Sequence, residues 1–114
     1  MKIMMFFNDE CHKGTKYYNN DIDFDYRFFS FKYNIDCVPR KGDNILIDIN
    51  SNNLQEFVTG EDNLHDKTYD YMKSILEKHM DEVNFKDPEF IVEKVQWFFM
   101  DNPWVLITLS PIKR

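Results

Sequence analysis

Two adjacent cations, Arg40 and Lys41, stand between Pro39 and Gly42 and are followed by Asp43, in the stretch CVPRKGDNILIDI. A guanidinium and an ammonium beside the bare backbone of a glycine suit an oxyanion such as a phosphate. The same residues also build a tight connection: proline presets φ, glycine accepts positive φ, and the charged pair stays hydrated. The Gly-x-x-x-x-Gly-Lys-Ser/Thr spacing of a P-loop is missing. A turn that joins two strands is therefore the expected role, and anion binding is the alternative.

Other candidate chemistry is thinner. Asp21, Asp23 and Asp25 alternate like the first ligands of an EF-hand loop, but Tyr26 stands where that loop needs glycine and Lys32 where it needs a bidentate glutamate. An acidic strand edge that resists sheet-to-sheet pairing explains the spacing better. His65 and His79 would lie roughly 20 Å apart on one helix at about 1.5 Å per residue, too far to share an ion. Cys11 and His12 are neighbours without a Cys-x-x-Cys or His-x-x-x-His partner set. Cys37 alternates with apolar positions and is expected to be a small buried hydrophobe. Neither a metal nor a cofactor is expected, and no Gly-rich nucleophile turn points to a catalytic residue.

Asp62, Asp66 and Asp70 recur at i, i+4 on a helical pattern. Such a row destabilises an isolated helix slightly. Acids near a helix N-terminus are favoured by its dipole, which is the expected reason. The alternative is mimicry of a phosphate ladder that occupies a basic nucleic-acid channel. Trp97, Phe98, Phe99 and Trp104 flank one turn, and strand parity sends Trp97 and Phe99 to the face opposite Phe98. Some of these rings must therefore leave the main core. They are expected either to pack under the helix or to line a groove or dimer seam.

The elements that position these residues follow from periodicity. Met1 to Phe7 reads as a first strand and Asn8 to Asp23 as a loop. Phe24 to Val38 alternates as a long bent strand, with a parity break at Phe28-Phe29. Asn44 to Ile49 alternates again. Leu54, Phe57 and Val58 suit a short helical turn capped by Ser51, and Asp62 to Asp81 an amphipathic helix with Asn63 as a loose cap. Phe90 to Phe99 is a strand with a bulge expected at Glu93-Lys94, Asp101-Asn102-Pro103 is a turn, and Trp104 to Leu109 closes the pattern before a frayed tail.

The 114 residues suit a single domain, residues 1–114, with a helical insertion over about 52–81. Aromatics form 17% of the chain, so rings must supply much of the buried area, which excludes disorder. A net charge of -6 disfavours binding to nucleic-acid backbones or anionic lipid. The apolar start is too short to span a membrane and lacks a cleavage signal, so a cytoplasmic protein with reduced cysteines is expected. The fold class is α+β: a small, antiparallel, strongly bent sheet or barrel of about five strands with one long inserted helix.

VPRKGDNILI, with FIVEKVQWFF and WVLITL later, resembles the strands of small SH3-like barrels in uncharacterised bacterial and phage proteins. The resemblance covers residues 37–49 and 90–109. It implies an SH3-like barrel and no particular activity.

The expected function is a non-enzymatic protein-interaction module, binding a protein partner or a second copy of itself through an aromatic strand face. Arg40, Lys41, Trp97, Phe99 and Trp104 are its candidate binding residues. One alternative is a phage-type inhibitor that sequesters a nucleotide, with Arg40 or Lys41 on phosphate and a ring stacked on the base. The other is an acidic mimic of nucleic acid that uses Asp62, Asp66 and Asp70.

Overall fold

The computed structural model describes residues 2–18, 22–32, 37–57, 63–80 and 88–112. Its strands are β1 (Lys2–Phe7), β2 (Phe29–Phe31), β3 (Asn44–Leu46), β4 (Leu54–Glu56), β5 (Glu89–Phe98) and β6 (Trp104–Pro111). A short helix α1 (Asp9–His12) follows β1, and a longer helix α2 (Asp66–His79) lies between β4 and β5. The six strands form one sheet in the order β3-β5-β6-β1-β2-β4, strongly curled into a half-barrel.

The α+β class, the curled sheet and the single long helix match expectation, but the five-stranded antiparallel barrel does not. The described residues hold six strands, and β1 runs parallel to β6, from Lys2 opposite Trp104 to Phe7 opposite Leu109. Local periodicity marks strands; it carries no information on which distant strand completes the ladder. The remaining pairs are antiparallel.

Alternation along β1 explains the core. Ile3, Met5 and Phe7 face α2 together with Val105, Ile107 and Leu109, and they join Phe29, Phe90 and Val92 in one buried cluster with Tyr71, Met72, Ile75 and Leu76. The i, i+3, i+4 spacing of those helical residues turns one face of α2 onto the sheet. Phe6 points the other way and packs on Phe28, which in turn meets Phe24 edge-on. The sheet is thus clad in rings on both faces.

Several boundaries differ from the sequence reading. The expected strand over Phe24 to Val38 is instead a 3-10 turn, Phe24–Arg27, followed by the short β2, and the parity break at Phe28-Phe29 marks that junction. Because β2 stops at Phe31, its alternation does not carry to Cys37, which is exposed and not buried. Tyr33 and Ile35, also assigned to that strand, lie outside the described residues. The helical turn expected at Leu54 is β4, held by pairing of Leu54, Gln55 and Glu56 to β2. The loop after β1 contains α1, whose cap Asn8 accepts from the Cys11 N–H through Oδ1 at 3.2 Å. His65, and not Asn63, caps α2, its Nδ1 accepting from the Lys67 N–H at 3.2 Å. The tail expected to fray continues β6 as far as Pro111.

Candidate functional site

Arg40, Lys41 and Trp97, far apart in sequence, line one groove of about 370 Å³ with Val38, Pro39, Glu93, Lys94 and Val95. One wall is the 38–41 segment and the other is the middle of β5. The first wall is shaped by its turn: the Asp43 N–H donates to the Arg40 carbonyl at 2.9 Å, while Asp43 Oδ2 accepts from the Arg40 N–H at 2.8 Å. Gly42 takes φ 95°, where a side chain is strained, and donates to the Val92 carbonyl at 2.9 Å. The turn chemistry expected of Pro-Arg-Lys-Gly-Asp is therefore present, and it leaves the Arg40 and Lys41 side chains in solvent.

The second wall owes its shape to a bulge. The β5-β6 register shifts between Val92 and Lys94, as the spacing of apolar residues predicted. Beyond the shift Val95 pairs with Ile107 and Trp97 with Val105, so Trp97 continues the face that α2 covers further along the strand. That cover ends before Trp97. The Trp97 ring is 49% exposed and Phe99 is 82% exposed, and the two stack with centroids 6.3 Å apart and planes 11° from parallel. Met100 is exposed beside them.

The groove is cationic within an acidic chain. Arg40, Lys41 and Lys94 face a single carboxylate, Glu93, whose Oε2 accepts from Asn8 Nδ2 at 3.2 Å. Among the described residues none of the three cations has an ion-pair partner. Two or three hydrated cations around an apolar floor hold an anionic group without burying an unpaired charge.

The other candidate residues lie elsewhere. Trp104 sits on the opposite face of the sheet, stacked flat on Phe98 and close to Phe57. It therefore does not join Trp97. Asp62 lies outside the described residues, as does Asp21 of the calcium-like spacing. Asp66 occupies the first turn of α2, and Asp70 is engaged by Lys16 Nζ at 2.7 Å and by the Tyr17 hydroxyl. Hydrogen bonds from Lys16 and Tyr17 hold the Asp70 carboxyl below its ordinary range. These contacts tie the 13–18 segment to α2, which is a structural use for one acid of the row. Among the described residues, no group of three or more His, Cys, Asp or Glu is arranged to hold a metal ion, and no helix is long and apolar enough to cross a membrane.

A second polar cluster had no sequence signal. His12 is buried with Nε2 3.2 Å from Asp9 Oδ1, and its ring meets Tyr71 edge-on, as does that of Tyr17. His12 Nδ1, Arg27 Nε and the Tyr71 hydroxyl are buried without a hydrogen-bond partner among the described residues. Burial pushes the Tyr71 phenol well above its ordinary value, against the pull of the Arg27 charge. Residues 12, 17, 27 and 71 share no motif, and only the packing of α1, the 3-10 turn and α2 gathers them.

Comparisons of the chain with families of known proteins, with curated proteins and with solved structures find no match.

Proposed function

We propose that this chain is a non-catalytic protein-interaction module whose contact surface is the end of β5, with Trp97 and Phe99 as anchors and the Arg40-Lys41 turn beside them. The exposed Trp97-Phe99 stack carries this reading. Large rings left together in water at the end of a core face are the composition of an interface hot spot. Of the SH3-like resemblance, the proposal retains only the β5-β6 hairpin as a platform for binding. The protein is read as cytoplasmic, with both thiols reduced.

Removing the anchors tests the idea. The Trp97→Ala, Phe99→Ala double variant should keep the fold and lose partner capture or self-association, followed by light scattering and by cross-linking in extract. Unchanged association by a folded double variant would sink the proposal.

The same groove supports a second reading, a nucleotide held with its phosphates on Arg40 and Lys41 and its base against Trp97. A thermal-shift screen with nucleotides tests it, because a ligand at 100 times its dissociation constant adds about 2.7 kcal/mol. No shift with any nucleotide would remove this reading and leave the first intact.

A further inference from the structure

Among the described residues, the outer backbone edge of β5 has no partner where it borders the groove. β3 covers only Glu89 to Ile91, and Asp43 with Gly42 extends that cover to Val92. Past Val92, no described strand lies on that side of β5.

Which amides face outward follows from the ladder. The Leu109 carbonyl accepts from the Asn8 N–H at 2.8 Å, so Leu109 turns its backbone toward β1. Alternation along β6 gives Ile107 and Val105 the same direction. Their partners Val95 and Trp97 are then non-hydrogen-bonded pairs, with N–H and C=O aimed away from β6 into the open edge. Gln96 and Phe98 bond inward to β6. On the facing wall Pro39 has no N–H, and the Arg40 N–H is already given to Asp43.

Resting on the interaction-module reading, we infer that the occupant of this groove is an extended acidic segment of a partner protein, added as a strand to the Val95-Trp97 edge with its carboxylates on Arg40, Lys41 and Lys94. Charge favours this occupant over a second copy. An edge-to-edge pair of copies would bring two of the same cationic grooves together. An acidic strand instead meets three cations that have no ion-pair partner among the described residues. It also shields the Trp97-Phe99 stack by laying alternate side chains on it.

The probe is a fluorescein-labelled peptide alternating valine and glutamate, titrated against the full chain. Three controls accompany it: a valine-lysine counterpart, the same valine-glutamate sequence N-methylated at alternate residues, and a panel of free nucleotides. The valine-glutamate peptide should bind, weaken with added salt, and lose about tenfold or more in affinity on N-methylation. The lysine peptide should not bind. In the free chain the Val95 and Trp97 amides should exchange faster than those of Gln96 and Phe98, and the peptide should slow them.

Val95→Pro removes an outward N–H, which an edge position tolerates, and should abolish binding. If that variant does not fold, Arg40→Glu with Lys41→Glu on the exposed turn gives the same decision, since reversed charge must cost about tenfold or more. Equal binding of the methylated and unmethylated peptides overturns strand addition. Loss of peptide binding in a chain that still associates with itself through Trp97 and Phe99 overturns the acidic partner and leaves the interaction module standing. Nucleotide shifts without peptide binding overturn both.

Discussion

Trp104 lies flat on Phe98, with ring centroids 4.0 Å apart and planes 5° from parallel, on the face of the β5-β6 hairpin that Trp97 does not share. Phe57 adds a third ring at 5.9 Å, and Lys2 donates to the Phe57 carbonyl while lying over its ring. The two tryptophans therefore differ in role. Trp104→Ala should lower stability by about 2 kcal/mol, from lost stacking and half-buried area. Trp97→Ala should stay within about 1 kcal/mol of the parent. Urea melts of both variants measure the contrast. Equal losses would mean that Trp97 is a packing residue and no anchor.

Gly42 isolates a conformational effect. Its φ is 95°, and an added Cβ would meet nothing within 4 Å. Gly42→Ala should therefore cost about 1–2 kcal/mol through backbone strain alone, and Gly42→Asn less, since asparagine tolerates that region. Gly14 provides the comparison: there a Cβ would come 3.0 Å from Lys78 Cε, the flexible part of a side chain. Denaturant midpoints in the order glycine, asparagine, alanine at position 42 would support the turn, and alanine equal to glycine would contradict the positive φ.

How far these features are legible without coordinates depends on their range. The β5 bulge, the β5-β6 hairpin and the apolar face of α2 arise from side-chain periods within about ten to fifteen residues, and they are readable. Parity also sets Trp97 and Phe99 apart from Phe98. Three other features lie beyond local pattern. The parallel β1-β6 pairing needs strands from opposite ends of the sequence. β4 is only Leu54–Glu56, too short to tell from a helical turn by spacing. The groove needs Val38 to Lys41 to lie against β5, far further along the chain. Glu56 shows the same limit: an acid on an edge strand is expected to be wet, yet it is buried, with Oε2 accepting from the His65 N–H at 3.4 Å and Oε1 without a partner among the described residues.

Tyr71 is fully buried, its ring packed against Phe7, His12 and Tyr17, while its hydroxyl has no hydrogen-bond partner among the described residues. A buried hydroxyl without a partner carries a desolvation penalty of about 1–3 kcal/mol. Tyr71→Phe keeps the ring and removes that penalty. The variant should match the parent or exceed it by about 1 kcal/mol in thermal or urea unfolding. A loss of that size would show that the hydroxyl has a hydrogen-bond partner in solution.

The two cysteines should behave oppositely, and the buried one should make the fold sensitive to alkali. Cys11 is buried, and its Sγ donates to the Leu109 carbonyl at 3.4 Å; burial pushes its thiol from an ordinary 9.0 up to about 12. Cys37 is exposed. A thiol reagent at pH 8 should therefore modify Cys37 at once and Cys11 only as fast as the chain opens. As pH rises past 9.0, the unfolded chain releases the Cys11 proton that the folded chain still holds. Stability from this site is thus complete below 9.0 and is lost as pH climbs toward about 12. The Tyr71 phenol, also raised by burial, adds a loss of the same sign starting above its ordinary 10.0. Urea midpoints measured from pH 8 to pH 11 should fall, and Cys11→Ala with Tyr71→Phe should flatten that fall. An equal slope in the parent and the double variant would place the alkaline sensitivity in other groups.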